Sequence, residues 1–182
     1  CFNRPLGAAM RAAMKDVPNL VVGQFHDVCG RLIREGSPKS YRISDGTSDQ
    51  QFWDKEIPLA MMEAVDSIPA LRFDAIVADE GQDFLEDWWT ALLYAMTDVK
   101  DGTGYIFFDD NQSVRTTEVA LPDFPTFPLR KNLRNSTVIH KLAATHYRGG
   151  EYSAGGPLGG EIERVFAKKG RPVSRTVSRL LH

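Results

Sequence analysis

The sequence predicts an α/β fold in which helices flank a mostly parallel β-sheet. Short apolar runs alternate with longer segments whose apolar residues recur every three or four positions, which is typical of βαβ units. Acidic residues follow two of the predicted strands, where parallel sheets present ligand-binding groups. With 182 residues, 42% of them hydrophobic, the chain is long enough to bury a core.

The first part of the chain is predicted to be mainly helical. Apolar residues at helical spacing predict helices over Leu6–Val17, Phe25–Glu35 and Gln51–Ser67. Proline or glycine ends the first two, and Pro58 marks a kink or a start within the third. The β-branched run at Leu20–Gly23 predicts a buried strand, and the polar residues 37–50 predict a loop.

The second part alternates strands and helices. Strands are predicted at Phe73–Ala78, Tyr105–Phe108 and Ile162–Phe166, and helices at Leu85–Met96, Ser136–Tyr147 and Val173–Leu181. Asn135 or Ser136 is the expected N-cap. The proline-rich residues 119–128 indicate a crossing between domains 1–120 and 121–182, and the glycine-rich Gly149–Gly160 is predicted to be flexible.

The formal net charge of −2 conceals an asymmetry along the chain. Residues 1–123 carry 11 Lys and Arg against 21 Asp and Glu, whereas residues 124–182 carry 11 against 3. The basic part can bind anions. Alternatively, two oppositely charged domains attract each other. Composition leaves both interpretations open.

Several classes of protein are disfavoured by composition. No run of 18 apolar residues predicts a membrane span, and the N-terminal residues do not resemble a signal peptide. Cys1 and Cys29 lack metal-ligand spacing, so we expect a reducing, cytoplasmic location. Because the sequence does not begin with Met, we expect it to be a piece of a longer protein.

The stretch FDAIVADEGQDF, from Phe73 to Phe84, ends an apolar strand with adjacent carboxylates. An aspartate at such a strand end can hold Mg²⁺, and the neighbouring glutamate can activate a water. Asp109 and Asp110 end the next predicted strand in the same way. The alternative is an acidic first turn of the following helix, which the helix dipole favours.

Five motifs along the chain resemble those of the UvrD/Rep-like superfamily 1 DNA helicases, in the order of that family. ADEGQDF resembles motif II (DEAQDF), and the other four are CFNRPL (motif Ia), GQFHDVC (the T-F-H motif), FFDDNQSVR (motif III) and LRKNLRNS (motif IV). The resemblance implies a RecA-like P-loop NTPase fold. It further implies that 1–120 forms most of the first lobe and that 121–182 begins the second.

The resemblance assigns a nucleotide site. It implies that Asp79 binds Mg²⁺ and that Glu80 is the catalytic base. Gln112 would contact the γ-phosphate and link it to DNA, and Arg134 would reach the γ-phosphate from the second lobe. A guanidinium there stabilises the charge that develops on the transferring phosphoryl group. ATP and Mg²⁺ are therefore the expected cofactors.

The same resemblance implies contacts with single-stranded DNA. The matching positions are Asn3, Arg4, Phe25, His26 and Arg115, where an aromatic ring and cations suit stacking on bases and pairing with phosphates. Each also has a simpler interpretation: Phe25 as a core residue, His26 as a surface or capping residue, and Arg4 as a solvated charge. Trp88 and Trp89 are predicted to pack in the core or at an interface.

The sequence departs from the family in several places. It contains no G-x-x-x-x-G-K-[ST] phosphate loop, and GGPLGG at 155–160 is no substitute. In the family that loop precedes motif Ia and motifs V and VI follow motif IV, so the missing N- and C-terminal segments are expected partners. Leu133 replaces a Tyr that stacks on adenine, Arg115 replaces another Tyr, and Gly81 replaces Ala. About 44 residues separate Cys29 from Asp74, too few for the family's inserted subdomain.

These features predict part of an ATP-dependent helicase or translocase that moves along single-stranded DNA. The isolated chain is predicted to hydrolyse ATP weakly or not at all, because it lacks the loop that cradles the phosphates. Two alternatives remain: a DNA-repair or restriction-type ATPase that does not unwind DNA, and a DNA-binding scaffold without ATPase activity. Gln82 and Asp83 are candidates for linking the site to neighbouring motifs and for capping the next helix.

Overall fold

The computed structural model describes residues 1, 3–36, 49–109, 111–112, 121–147, 150 and 152–160. The chain divides into two compact units, Cys1–Phe124 and Pro125–His182. The elements predicted at 162–166 and 173–181, most of the 37–50 loop, Asp110 and Arg115 lie outside the described residues.

The described residues of the first unit form four α-helices. They are α1 (Arg4–Ala13), α2 (Phe25–Gly36), α3 (Ile57–Ser67), which follows a π-helical turn at Phe52–Glu56, and α4 (Glu86–Tyr94). Asn3 is the N-cap of α1, and its Oδ1 accepts a hydrogen bond from the backbone N–H of Leu6 at 3.2 Å. Short 3₁₀ turns at Pro69–Leu71 and Gly81–Asp83 precede the first strand and α4, respectively.

Two parallel strands form the sheet of the first unit. Strand β1 (Ala75–Ala78) pairs with β2 (Thr103–Ile106) in a register that sets Ala75 opposite Thr103 and Ala78 opposite Ile106. Before β1, Phe73 forms an isolated parallel bridge with Met96, which lies after α4. A mixed α/β fold with short parallel strands is confirmed. The strand predicted at Leu20–Gly23 is wrong, because those residues form no strand.

The core of the first unit lies where α2, α3 and α4 meet. Its buried apolar side chains include Phe25, Cys29, Leu32, Ile33, Ile57, Met61, Val65, Trp88, Trp89 and Ala91. The Phe25 and Trp88 rings stack with centroids 4.6 Å apart. Gly36 permits the close approach of α2 to α3, because a Cβ there would lie 2.5 Å from the carbonyl oxygen of Ala64. The helical spacing in the sequence therefore corresponds to a packed interface.

The described residues of the second unit form a short helix and two short strands. Strand β3 (Lys131–Asn132) runs parallel to β4 (Ser153–Ala154), and α5 spans Thr137–Ala144. Ser136 caps α5 as predicted, accepting a hydrogen bond from the backbone N–H of Ile139 at 3.4 Å. Strand β4 falls within the glycine-rich stretch predicted to be flexible, and the backbone of Ser153 reaches Arg130. Main-chain pairing thus orders this part of the stretch.

Candidate active site

Adjacent carboxylates follow β1, as the sequence predicts. Asp79 and Glu80 are both half-buried. Glu80 adopts the left-handed backbone conformation, with φ 57° and ψ 43°, which is uncommon for a residue other than glycine. Its backbone N–H donates to Asp79 Oδ1 at 3.0 Å. Backbone strain of this kind is often found at functional sites, where the surrounding structure maintains it.

Gln82 joins the end of β1 to the segment after β2. Its side chain is only 1% exposed. The amide Nε2 donates to Glu80 Oε2 at 2.6 Å, and the amide Oε1 accepts from the backbone N–H of Asp109 at 3.1 Å. Both ends of the side-chain amide are therefore occupied, one by a carboxylate and one by the neighbouring backbone.

The segment after β2 forms a turn around Asp109. Asp109 Oδ1 accepts from the backbone N–H of Asn111 at 2.9 Å, and its carbonyl oxygen accepts from the backbone N–H of Gln112 at 3.0 Å. The exposed side chain of Gln112 donates through Nε2 to Asp109 Oδ2. Gln112 is thus tethered to the same segment that Gln82 contacts.

Main-chain bonds continue between the two segments beyond the strands. The backbone N–H of Phe107 donates to the carbonyl of Ala78 at 2.8 Å, and that of Gly81 donates to the carbonyl of Phe107 at 2.9 Å. A Cβ at Gly81 would lie 2.6 Å from Ile106 Cγ2. Glycine at this position, where the family that the sequence resembles has alanine, therefore fits the close approach of the turn after β1 to Ile106 of β2.

Metal ligands are sparse around these carboxylates. Within the described ranges, no three His, Cys, Asp or Glu side chains are grouped so that they could hold a metal ion by themselves. Asp79 keeps acceptor capacity on its carboxylate, because Glu80 N–H is bonded to one of its two oxygens. A cation that takes most of its ligands from water and phosphate, as Mg²⁺ does, fits this donor set.

The residues predicted to contact DNA have individual structural roles. Arg4 is exposed, and its Nε donates to Gln24 Oε1 at 3.1 Å. His26 is half-buried, and its Nε2 lies 3.0 Å from the carbonyl oxygen of Trp53, which requires a proton on that nitrogen. Phe25, at 3% exposure, lies in the core, so the simpler interpretation describes its position. Asn3 caps α1.

A depression of about 320 Å³ lies beside Arg4 and His26. Its other lining residues are Gln24, Gln50, Trp53, Asp54 and Trp88. The sequence did not single out Trp53 for this surface. The sequence signal that could have identified Trp53 was its position as an aromatic residue among polar neighbours at the start of a helix.

Arg134 belongs to the second unit and is exposed. Asn132 Oδ1 accepts from the backbone N–H groups of Arg134 at 3.2 Å and Asn135 at 3.1 Å. This small turn carries Arg134 between β3 and α5. Leu133, in the position of the family's adenine-stacking Tyr, is 67% exposed. Sequence reasoning had assigned no role to Asn132, although Asn is common where a side chain organises a turn.

No protein-family model, curated protein or solved structure matches this chain. In the part of the chain that the structure describes, no helix is long and apolar enough to cross a membrane. The residue geometry therefore carries the functional interpretation, together with the motif resemblance.

Proposed function

We propose that this chain supplies part of the ATP-hydrolysing centre of a helicase or translocase that moves along single-stranded DNA. The observation that carries the proposal is the network in which buried Gln82 links Glu80 after β1 to Asp109 after β2. Carboxyl ends of adjacent parallel strands are where open α/β sheets bind ligands. The five-motif resemblance supports the same assignment.

The roles at the strand ends follow from their chemistry. Asp79 would hold Mg²⁺, which neutralises charge on the phosphates when it is bound. Glu80 would accept a proton from the attacking water, while Gln82 holds one of its two carboxylate oxygens. Gln112 would contact the γ-phosphate next to the Asp109 turn, and Arg134 would stabilise negative charge in the transition state.

The proposed DNA path passes the depression beside Arg4 and His26. Arg4 supplies a positive charge for phosphates, and the rings of His26 and Trp53 line the same depression. Cations beside aromatic rings suit single-stranded nucleic acid. Asn3 and Arg115 complete the set by resemblance alone, whereas Phe25 is buried in the core and supports the surface from below.

The experiment compares Glu80→Gln with Glu86→Gln in the full-length protein. Loss of the proton acceptor is expected to lower DNA-stimulated ATP turnover roughly 100-fold or more, while ATP binding persists. Glu86 is an exposed glutamate in the first turn of α4, so its substitution should leave turnover unchanged. Phosphate release and nucleotide binding are measured separately for both variants.

Assays of strand separation and of DNA binding by the same protein separate the alternatives. ATP turnover without strand separation would favour a translocating or restriction-type ATPase. DNA binding without nucleotide binding would favour a scaffold and contradict the proposal, as would normal turnover by Glu80→Gln.

A further inference from the structure

A basic groove lies beside α1 and α2 in the first unit and has a volume of about 650 Å³. We define it by its charged lining residues: Arg4, Arg11, Lys15, Asp27, Arg31 and Arg34. Five of these side chains are cationic and one is a carboxylate. The groove therefore carries a concentrated positive charge.

The positive charge of the groove contrasts with the acidic composition of the first part of the sequence. Residues 1–123 contain 11 Lys and Arg but 21 Asp and Glu. Nearly half of those cations line the basic groove, together with only one of the acids. A local field of this kind, on an otherwise acidic unit, attracts anionic groups and steers their approach.

The cations of the groove are incompletely neutralised. Arg11 lies 3.3 Å from Asp27, and Arg31 lies 2.8 Å from Glu35, with all four side chains about half exposed. Among the described residues, neither Lys15 nor Arg34 forms an ion pair. Lys15 and Arg34 therefore offer charge to an external partner at little cost in existing contacts.

The apolar lining of the groove is mainly aliphatic, with His26 and Trp53 as its aromatic members. Met14 is 39% exposed, Val17 is 52% exposed and Leu20 is 44% exposed. Val21, Val22 and Val28 also line the groove. Arg11 Nε donates to the carbonyl oxygen of Val22 at 2.9 Å and so ties α1 to this extended segment. A surface on which exposed aliphatic side chains lie next to cations can bind apolar groups and anionic groups together.

We propose that the basic groove docks an acidic, aliphatic helical segment of a partner protein. Apolar side chains on one face of such a helix would cover Met14, Val17 and Leu20, and flanking carboxylates would pair with Lys15 and Arg34. The exposed apolar side chains of the groove are aliphatic and provide no stacking platform for bases, whereas its two aromatic rings, His26 and Trp53, are half-buried and shared with the depression beside Arg4. The chemistry therefore favours a peptide over a nucleic acid, and this assignment does not depend on the proposed ATPase function.

The test uses a fluorescent synthetic helical peptide with leucines along one face and glutamates beside them. Two further probes are a peptide with each leucine replaced by serine and a single-stranded oligo(dT). Anisotropy gives the dissociation constants. The peptide with leucines is expected to bind the protein, more weakly at higher salt, and at least about tenfold more tightly than the serine peptide.

Matched variants locate the binding surface. Lys15→Glu combined with Arg34→Glu is expected to weaken binding of the leucine peptide roughly tenfold or more. Lys55→Glu combined with Lys100→Glu removes as many exposed cations outside the groove and should change binding less than about twofold. Circular dichroism verifies folding, and neutral Lys15→Gln with Arg34→Gln serves if the charge reversal unfolds the protein.

Three outcomes would overturn the proposal. They are an absence of binding by the leucine peptide, equal losses in the two double variants, and equal affinity of the leucine and serine peptides. A loss of oligo(dT) affinity in the Lys15→Glu and Arg34→Glu variant as large as its loss of peptide affinity would also overturn it, because the part of the groove outside the depression beside Arg4 would then be a nucleic-acid surface.

Discussion

The strand-end network of the first unit and the Asn132–Ser136 turn of the second unit present polar groups in different ways. In the first unit, Gln82 is buried and uses both ends of its amide to hold Glu80 and Asp109. In the second unit, the Asn132 side chain accepts from two backbone N–H groups, and the side chain of Arg134 is exposed.

The groups in the first unit are held in one position before any ligand binds, whereas the arginine in the second unit is exposed and mobile. A carboxylate held in a left-handed turn and bonded to a buried amide has few alternative positions. An exposed arginine on a short turn retains its side-chain freedom until a ligand orders it. The first unit therefore carries polar groups that are held in place, and the second unit carries a charged side chain that can adapt.

The largest expected effect on stability comes from Gln82→Ala. The change leaves the Asp109 N–H and the Glu80 carboxylate without their buried partner, and should lower the free energy of unfolding by about 2–4 kcal/mol. Denaturant unfolding measures the loss. Gln112→Ala, on an exposed side chain of the same segment, should cost less than about 0.5 kcal/mol. Equal losses of unfolding free energy in the two variants would show that the buried hydrogen bonds of Gln82 add no particular stability.

A smaller loss is expected for Gly36→Ala. The new Cβ would meet the backbone oxygen of Ala64 at 2.5 Å, which cannot move without shifting α3. Overpacking of this kind costs about 1–3 kcal/mol. At Gly160 a Cβ would meet no atom of the described residues within 4 Å, so Gly160→Ala is the control and should be nearly neutral. A neutral Gly36→Ala would mean that α2 and α3 are packed less rigidly.

In the second unit, Asn132→Ala should cost about 1 kcal/mol, because two hydrogen bonds to backbone N–H groups are lost at a partly exposed site. Amide hydrogen exchange over residues 131–139 reports this change directly. Leu133→Ala removes a side chain that is 67% exposed and should leave exchange nearly unchanged. Faster exchange in both variants would contradict a specific role for Asn132.

The smallest effect under ordinary conditions concerns Cys29. Burial raises the pKa of this thiol from its usual value of 9.0, so the folded state retains the proton when the unfolded state loses it. The contribution to stability is present below about pH 9 and is lost as pH rises above it, by up to about 1.4 kcal/mol per pH unit. Unfolding measured across this range should show a steeper decline for the wild type than for Cys29→Ala. Parallel curves would contradict the burial of this thiol.

Helices were more predictable from the sequence than strands. The apolar spacing of Phe25, Cys29 and Leu32 predicted α2 to within one residue, because a helix forms its hydrogen bonds locally. Strand β2 was predicted at 105–108 but lies at Thr103–Ile106. Its register is set by main-chain pairing with β1, which the apolar pattern of one segment does not specify.

The strand predicted at Leu20–Gly23 is wrong for the same reason, because strand formation depends on pairing with another segment. Its β-branched residues suit a strand, yet a strand also requires a neighbouring chain to accept its hydrogen bonds. In the structure, the described contacts of this stretch include Cys1, whose amino group lies 3.3 Å from the Gly23 carbonyl oxygen, and Arg11, which bonds to Val22.

The candidate site was predictable in part. The carboxylates after β1 follow from the abrupt change from apolar to acidic residues. The motif also drew attention to Gln82, but its two bonds depend on how Asp109 approaches from another strand. The left-handed conformation of Glu80 carries no sequence signal, because glycine or asparagine would be the usual choice for it.

The aromatic cluster around Phe25 gives the protein an internal optical reporter. All three tryptophans of the chain, Trp53, Trp88 and Trp89, belong to the first unit, and His26 contacts two of them edge-on, at 5.2 Å and 4.6 Å. Intrinsic tryptophan emission therefore reports on the first unit alone. Because Trp53 and Trp88 line the depression beside Arg4, a molecule that enters it would shift the emission maximum or change the emission intensity without any added label.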